Sequence, residues 1–346
     1  MRTLTISRPD DWHLHLRDGA EMGSVLAHTA RIFARAIVMP NLKPPVTTTA
    51  MAAAYRDRIR AALPKGSSFE PLMTLYLTDN TSAEEIARAK RSGLVFGVKY
   101  YPAGATTNSD SGVTRIERVR AALEAMQEHD LPLLVHGEVT TRGVDVFDRE
   151  RVFLETVLSG IVRVCPQLRV VVEHASTREA VEFVSAGGPR IAATITAHHL
   201  LYNRAALFAG GFRPHYYCLP VLKREEHRAA LMQAATGGSP RFFLGTDSAP
   251  HARADKEAAC AHAGIFSAHA ALELYAEAFE QAGALDRLEG FASVHGPAFY
   301  RLPRNKGSIT LRKEAWTVPG ELGFGPATVV PLRAGESIGW RVAGDE

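Results

Sequence analysis

LPLLVHGE, residues 131–138, is a short apolar run that ends on a histidine, and how it is read decides the fold. Leu and Val with little polar alternation suit a strand buried on both faces, as in a parallel sheet covered by helices. The pattern recurs along the chain. TLTIS runs into DDWHLHLRDG (10–19), and RAIVMPN, PLMTLYLT, VFGVKYYP, RVVVEHAS, RIAATITAHH and RFFLGTDSAPH complete the set. Between most of them lie amphipathic stretches such as TSAEEIARAKRSG, GVTRIERVRAALEAMQEHD and TREAVEFVSAGG, which open near Ser, Thr or Gly and close near Gly or Asp, as helices do. Strand-like runs that alternate with helices favour an α/β fold, a closed TIM (β/α)8 barrel. The alternative is a doubly wound open sheet. That fold would carry a glycine-rich phosphate loop after an early strand, and neither a G-x-G-x-x-G nor a Walker motif is present. The barrel is expected over about residues 4–300 of a single domain covering 1–346. The tail, about 301–346, is rich in Pro, Gly and Arg and is expected to pack on the barrel.

Composition narrows the function. Against 37 acidic residues stand 40 scattered Lys and Arg, a net charge of +3, so neither a polyanion-binding face nor a nucleic-acid partner is expected. The three cysteines, Cys165, Cys218 and Cys260, are odd in number and far apart, which fits a reducing compartment. No leader-like segment and no apolar stretch of spanning length occurs, so a cytoplasmic protein without a membrane partner is expected.

The chemically unusual residues fall at the C-terminal ends of the apolar runs: His13 and His15 on the first, Asn41 on the second, Lys99 on the fourth, His136 on the fifth, His174 on the sixth and Asp247 on the eighth. In a TIM barrel that end gathers the catalytic groups. Four histidines and an aspartate offer nitrogen and oxygen donors suited to zinc, more than one catalytic ion uses, which suggests two. Taken alone, His13-Leu14-His15 also reads as a pair of hydrogen-bonded strand-end histidines. Lys99 has two readings as well: a strand-end lysine paired with a neighbour, or a buried neutral amine that adds carbon dioxide to become a bridging carbamate. His198, His199, His215, His262 and His269, with His28, His129, His227 and His295, read as surface or packing residues.

Two stretches, DWHLHLRDG (11–19) and GTDSAPHARADK (245–256), with MPNLKPP, GVKYYPAGATTNSD, VHGE, EHAS and CLPVLK in order between them, resemble the amidohydrolase superfamily and, within it, the dihydroorotases. The resemblance covers about residues 4–300. It implies that His13, His15, Asp247 and carboxylated Lys99 hold one zinc while Lys99, His136 and His174 hold the other, with a hydroxide as second bridge. It further implies that Arg17, Asn41 and His251 fix a substrate carboxylate, that backbone groups near Leu219 and Ala263 complete recognition of the ring, and that Thr106 and Thr107 reach down from a closing loop, AGATTNSDSG. The reaction implied is the reversible cyclisation of N-carbamoyl-L-aspartate to L-dihydroorotate in pyrimidine biosynthesis, with Asp247 carrying the proton, in a homodimer.

Two rivals stand beside this reading. A hydantoinase or allantoinase would share the metals, but usually builds a β-sandwich partly from several dozen residues ahead of its His-x-His, where this sequence has twelve. A catalytically silent scaffold would have lost ligand positions that are present here.

Overall fold

The structure, a computed structural model, describes residues 2–344. Its centre is an eight-stranded parallel sheet in sequence order. After an initial strand β1 (Thr3–Ser7), the sheet takes in β2 (Asp10–Leu14), β3 (Arg35–Val38), β4 (Glu70–Tyr76), β5 (Val95–Tyr100), β6 (Leu133–Val135), β7 (Val170–Val172), β8 (Ile191–Ile195) and β9 (Phe242–Leu244). The first and last of these meet beyond their ladders: the Asp247 amide donates to the His13 carbonyl at 2.9 Å and the His15 amide to that of Ser248 at 3.1 Å. The expected TIM barrel is what forms.

Helices follow the predicted signals. TSAEEIARAKRSG gives the helix Ala83–Ser92. Ser82 caps it by accepting from the Glu85 amide, Glu84 and Glu85 occupy its first turn, and Gly93 ends it in a left-handed conformation. Thr177 caps Arg178–Ala186 in the same way.

TLTIS behaves differently from its neighbours. It does not run on into the barrel but pairs antiparallel with β10 (Ser308–Arg312), Thr3 opposite Arg312 and Ser7 opposite Ser308. The tail is thereby tied to the start of the chain, and DDWHL alone makes the barrel strand. That strand is irregular, its register against β3 shifting between Asp11 and Leu14. Trp12 packs in the apolar cluster with Ile37, Leu72, Leu134, Val171, Ala192 and Phe243, drawn from seven barrel strands, while Leu14 and Leu16 join the larger cluster under the helices. The eighth strand, β5, contributes Gly97, where a Cβ would come within 2.8 Å of Leu134.

The interior cluster is closed by Tyr300, whose ring stacks on Trp12 at 4.4 Å and 9°. Tyr300 ends the helix His295–Tyr300, and at Gly296 a Cβ would lie only 1.9 Å from the Trp12 indole nitrogen. Glycine is required there for the helix to press against the barrel floor.

Candidate metal centre and substrate cavity

At the opposite end of the strands the side chains become polar. His13, His15 and Asp247 converge: His13 Nε2 lies 3.3 Å from His15 Nε2 and 3.3 Å from Asp247 Oδ1, and His15 Nε2 lies 3.2 Å from the same oxygen. His15 Nδ1 is 2.9 Å from Asn41 Oδ1, to which it donates, so Nε2 keeps its lone pair for a cation. The His174 ring stands 4.9 Å from those of His13 and His136, with its Nδ1 buried and without a partner. His136 Nε2 is 2.9 Å from Glu138 Oε2.

The backbone at this end is forced. His174 (φ +43°), Asp247 (φ +44°) and Arg17 (φ +62°) all adopt the left-handed region, costly for residues with side chains and concentrated where function over-determines the geometry. The strain is held by the Asp247 amide bond described above and by the His174 amide, which donates to Thr194 Oγ1 at 2.8 Å. Asp11 knits the first strand to the last, accepting from the amides of His13 (3.1 Å) and Thr246 (2.9 Å) and from Thr246 Oγ1 (2.6 Å). Burial pushes its carboxyl up to about 7, against those bonds.

Lys99 is fully buried, its ammonium paired with Glu173, which also faces His13 Nδ1 at 3.0 Å. Burial lowers the Lys99 pKa while Glu173 pulls the other way. Burial also disfavours charge on His13, but Glu173 and Asp247 outweigh it and hold that imidazole up to about 9. His15 is pushed down to about 4 by burial, against the pull of Asp247. Asp247 itself is held well below the usual carboxylate range by its histidines, against burial. An ionised Asp247 beside a neutral His15 offers one cation both a carboxylate oxygen and an imidazole lone pair.

Above the histidines lies a small cavity lined by His13, His15, Arg17, Asn41, Tyr101, Thr106, Thr107, His136, His174, Leu219, Asp247, Ala249, Ala263 and Gly264. Its free volume, about 20 Å³, is room for roughly one water molecule. The loop after β5 presses down on it: Thr107 Oγ1 donates to the Ala263 carbonyl at 3.4 Å, Asn41 Nδ2 to that of Thr107 at 3.1 Å, and Asn108 Nδ2 to that of Asn41 at 3.0 Å. Arg17 lies on the far wall, its Nε donating to the Pro250 carbonyl at 2.8 Å and its Nη2 lying 2.9 Å from His251 Nε2.

Eleven of the thirteen residues singled out in the sequence line this cavity. Lys99 stands behind His13, and His251 behind Arg17. Sequence reasoning passed over Glu173 and Glu138, although both are buried and face histidines of the cluster, His13 and His136. The signal was present: a glutamate at or just past the end of an apolar run, one or two residues from a histidine, in EHAS and VHGE.

The Amidohydrolase family profile matches residues 10–332. The chain belongs to the amidohydrolase family. Within it, this amidohydrolase is 68% identical over 339 residues to the dihydroorotase of Cupriavidus necator, covering 98% of each chain. Its fold superimposes on the dihydroorotase of Campylobacter jejuni (TM-score 0.90, 36% identity, 99% and 98% of the two chains). It also superimposes on that of Saccharomyces cerevisiae in complex with 5-fluoroorotic acid (TM-score 0.91, 31% identity, the same coverage). A metal centre goes with this family, and His13, His15 and Asp247 form a group able to hold an ion. Among the described residues no helix is long and apolar enough to cross a membrane.

Proposed function

We propose that the chain is a dihydroorotase, a hydrolase that interconverts L-dihydroorotate and N-carbamoyl-L-aspartate in pyrimidine biosynthesis. The observation that carries the reading is the convergence of His13, His15 and Asp247 within 4.8 Å at the C-terminal end of the barrel, in a chain 68% identical to a dihydroorotase. Imidazole nitrogens and a carboxylate are a zinc donor set, and the unpartnered Nδ1 of buried His174 shows polar capacity beside it.

His13, His15 and Asp247 would hold one zinc and His136 and His174 a second, with Lys99, as its carbamate, shared by both. Bound there, the ions supply Lewis acidity and a hydroxide at neutral pH. The chain's own groups do the rest. Asp247, kept ionised, takes the proton of the attacking oxygen and delivers it to the departing ring nitrogen. Arg17, Asn41 and His251 orient the substrate carboxylate, the forked guanidinium suiting a planar anion. The carbonyl of Ala263 and the backbone at Leu219 border the ring. Thr106 and Thr107, on the loop that shuts the cavity, exclude water during turnover. Residues 1–346 act as one unit, the tail tied to the N-terminus through β1 and β10, in a cytoplasmic homodimer.

Metal analysis of the purified protein beside its Lys99→Ala variant, each assayed for dihydroorotate hydrolysis, tests the reading. Two zincs per chain with activity in the wild type, and loss of both in the variant, are expected. Metal without activity on dihydroorotate would overturn the substrate assignment, and an active Lys99→Ala protein the carbamate.

A further inference from the structure

A second cluster of ligand-type side chains lies outside the centre described above. His198 and His199 stand on the short helix Ala197–Leu201 after β8, and Cys218 precedes cavity-lining Leu219. One donor atom from each lies within 4.8 Å of the others, and all three side chains are buried.

Their hydrogen bonding is uneven. His199 is satisfied on both nitrogens, Nδ1 by Thr196 Oγ1 at 2.9 Å and Nε2 by donating to the Pro220 carbonyl at 3.1 Å. The Cys218 thiol donates to the same carbonyl at 3.3 Å. His198, with no exposed surface, has a partner on neither ring nitrogen. A buried imidazole so left is costly, and a group that uses its lone pair repays the cost.

We propose that His198, His199 and Cys218 form a second metal site behind the substrate cavity, one that takes a thiophilic divalent ion such as Zn2+ or Cd2+ and slows the reaction when filled. Two imidazoles and a thiolate select soft or borderline cations over Mg2+ and Ca2+. Burial holds His198 near 4, so it presents a neutral ring, and lifts the Cys218 thiol to about 12. An ion reverses the second preference: the S–H bond breaks, a metal–sulfur bond forms, and the proton leaves to solvent. Lys223 and Lys256, whose ammonium groups bond to backbone carbonyls nearby, favour the thiolate further.

The link to the reaction runs through Pro220. An ion that takes Cys218 Sγ and His199 Nε2 removes two donors from one carbonyl, a residue away from Leu219 in the cavity wall. With so little free volume in that cavity, a small displacement of Leu219 alters the fit of substrate. This inhibitory half rests on the proposed function, whereas binding itself does not.

Cadmium chloride titrated into the metal-loaded protein tests both. The ultraviolet charge-transfer band of a cadmium–thiolate bond is followed beside dihydroorotate hydrolysis; imidazole and carboxylate ligands of the other centre give no such band. One equivalent per chain should raise the band, with inhibition in step. Cys218→Ser should lose band and inhibition while keeping its uninhibited rate, and Cys260→Ser should keep both. His198→Gln should weaken binding by at least the roughly tenfold that even an indirect metal partner is worth. No band in the wild type, or a band that survives Cys218→Ser, overturns the site. A band without inhibition overturns the coupling. A protein without dihydroorotate activity would fail the proposed function and still leave the band to decide the site.

Discussion

The two ends of one barrel are built from the same strands on opposite principles. At the N-terminal end Trp12, Phe243 and Tyr300 close an apolar interior in which even a methyl group at Gly296 has no room. At the C-terminal end, one residue beyond Trp12, His13 begins a cluster of ionisable groups on strained backbone. The first arrangement contributes stability by excluding water. The second gives up some of it to hold charges and lone pairs where a cation and substrate can use them. The division predicts that substitutions at the floor change folding and leave catalysis intact, whereas those at the mouth do the reverse.

The largest effect on folding is expected at the floor. Trp12→Ala removes the fully buried ring stacked on Tyr300 and should cost about 3–5 kcal/mol in denaturant unfolding. The KM and metal content of the protein that remains folded should be unchanged; a large shift in either would break the separation of the ends.

An intermediate effect is expected from acid. His269 is buried and pushed down to about 3, chiefly by burial, so it stays neutral in the fold while the unfolded chain takes up a proton below about 6.5. Because the unfolded state binds more protons in this window, stability falls as pH falls, by about 2 kcal/mol from this group between pH 7 and 5. His269→Asn should flatten that part of the profile of melting temperature against pH; an unchanged slope would assign the acid sensitivity to other buried groups.

The smallest effect belongs to the loop over the cavity. Thr107→Ala deletes the hydroxyl that reaches the Ala263 carbonyl and should lower kcat by about tenfold, with melting temperature and metal content unmoved. A wild-type kcat in the variant would remove the lid role and leave a surface loop.

Much of the site was legible because a strand's direction places its last residues at one end of a barrel. Once the apolar runs are recognised, His136 after LPLLV and Asp247 after RFFLGT must converge there. Glu173 was overlooked because its meaning lies in contacts with His13 and Lys99, 160 and 74 residues away in sequence, which no local pattern records.

The sequence by itself determined the alternation of strand and helix, the caps that bound the helices, and the end of the barrel at which the chemistry sits. Each of these follows from local periodicity and the chemistry of one or two neighbouring residues. Tertiary structure alone decided that TLTIS leaves the barrel to pair with residues 308–312, that the register shift in β2 turns Trp12 into the floor, and that His198 is buried with neither ring nitrogen paired. These depend on which distant surfaces meet, and burial and hydrogen bonding are properties of that meeting rather than of the residues that take part in it.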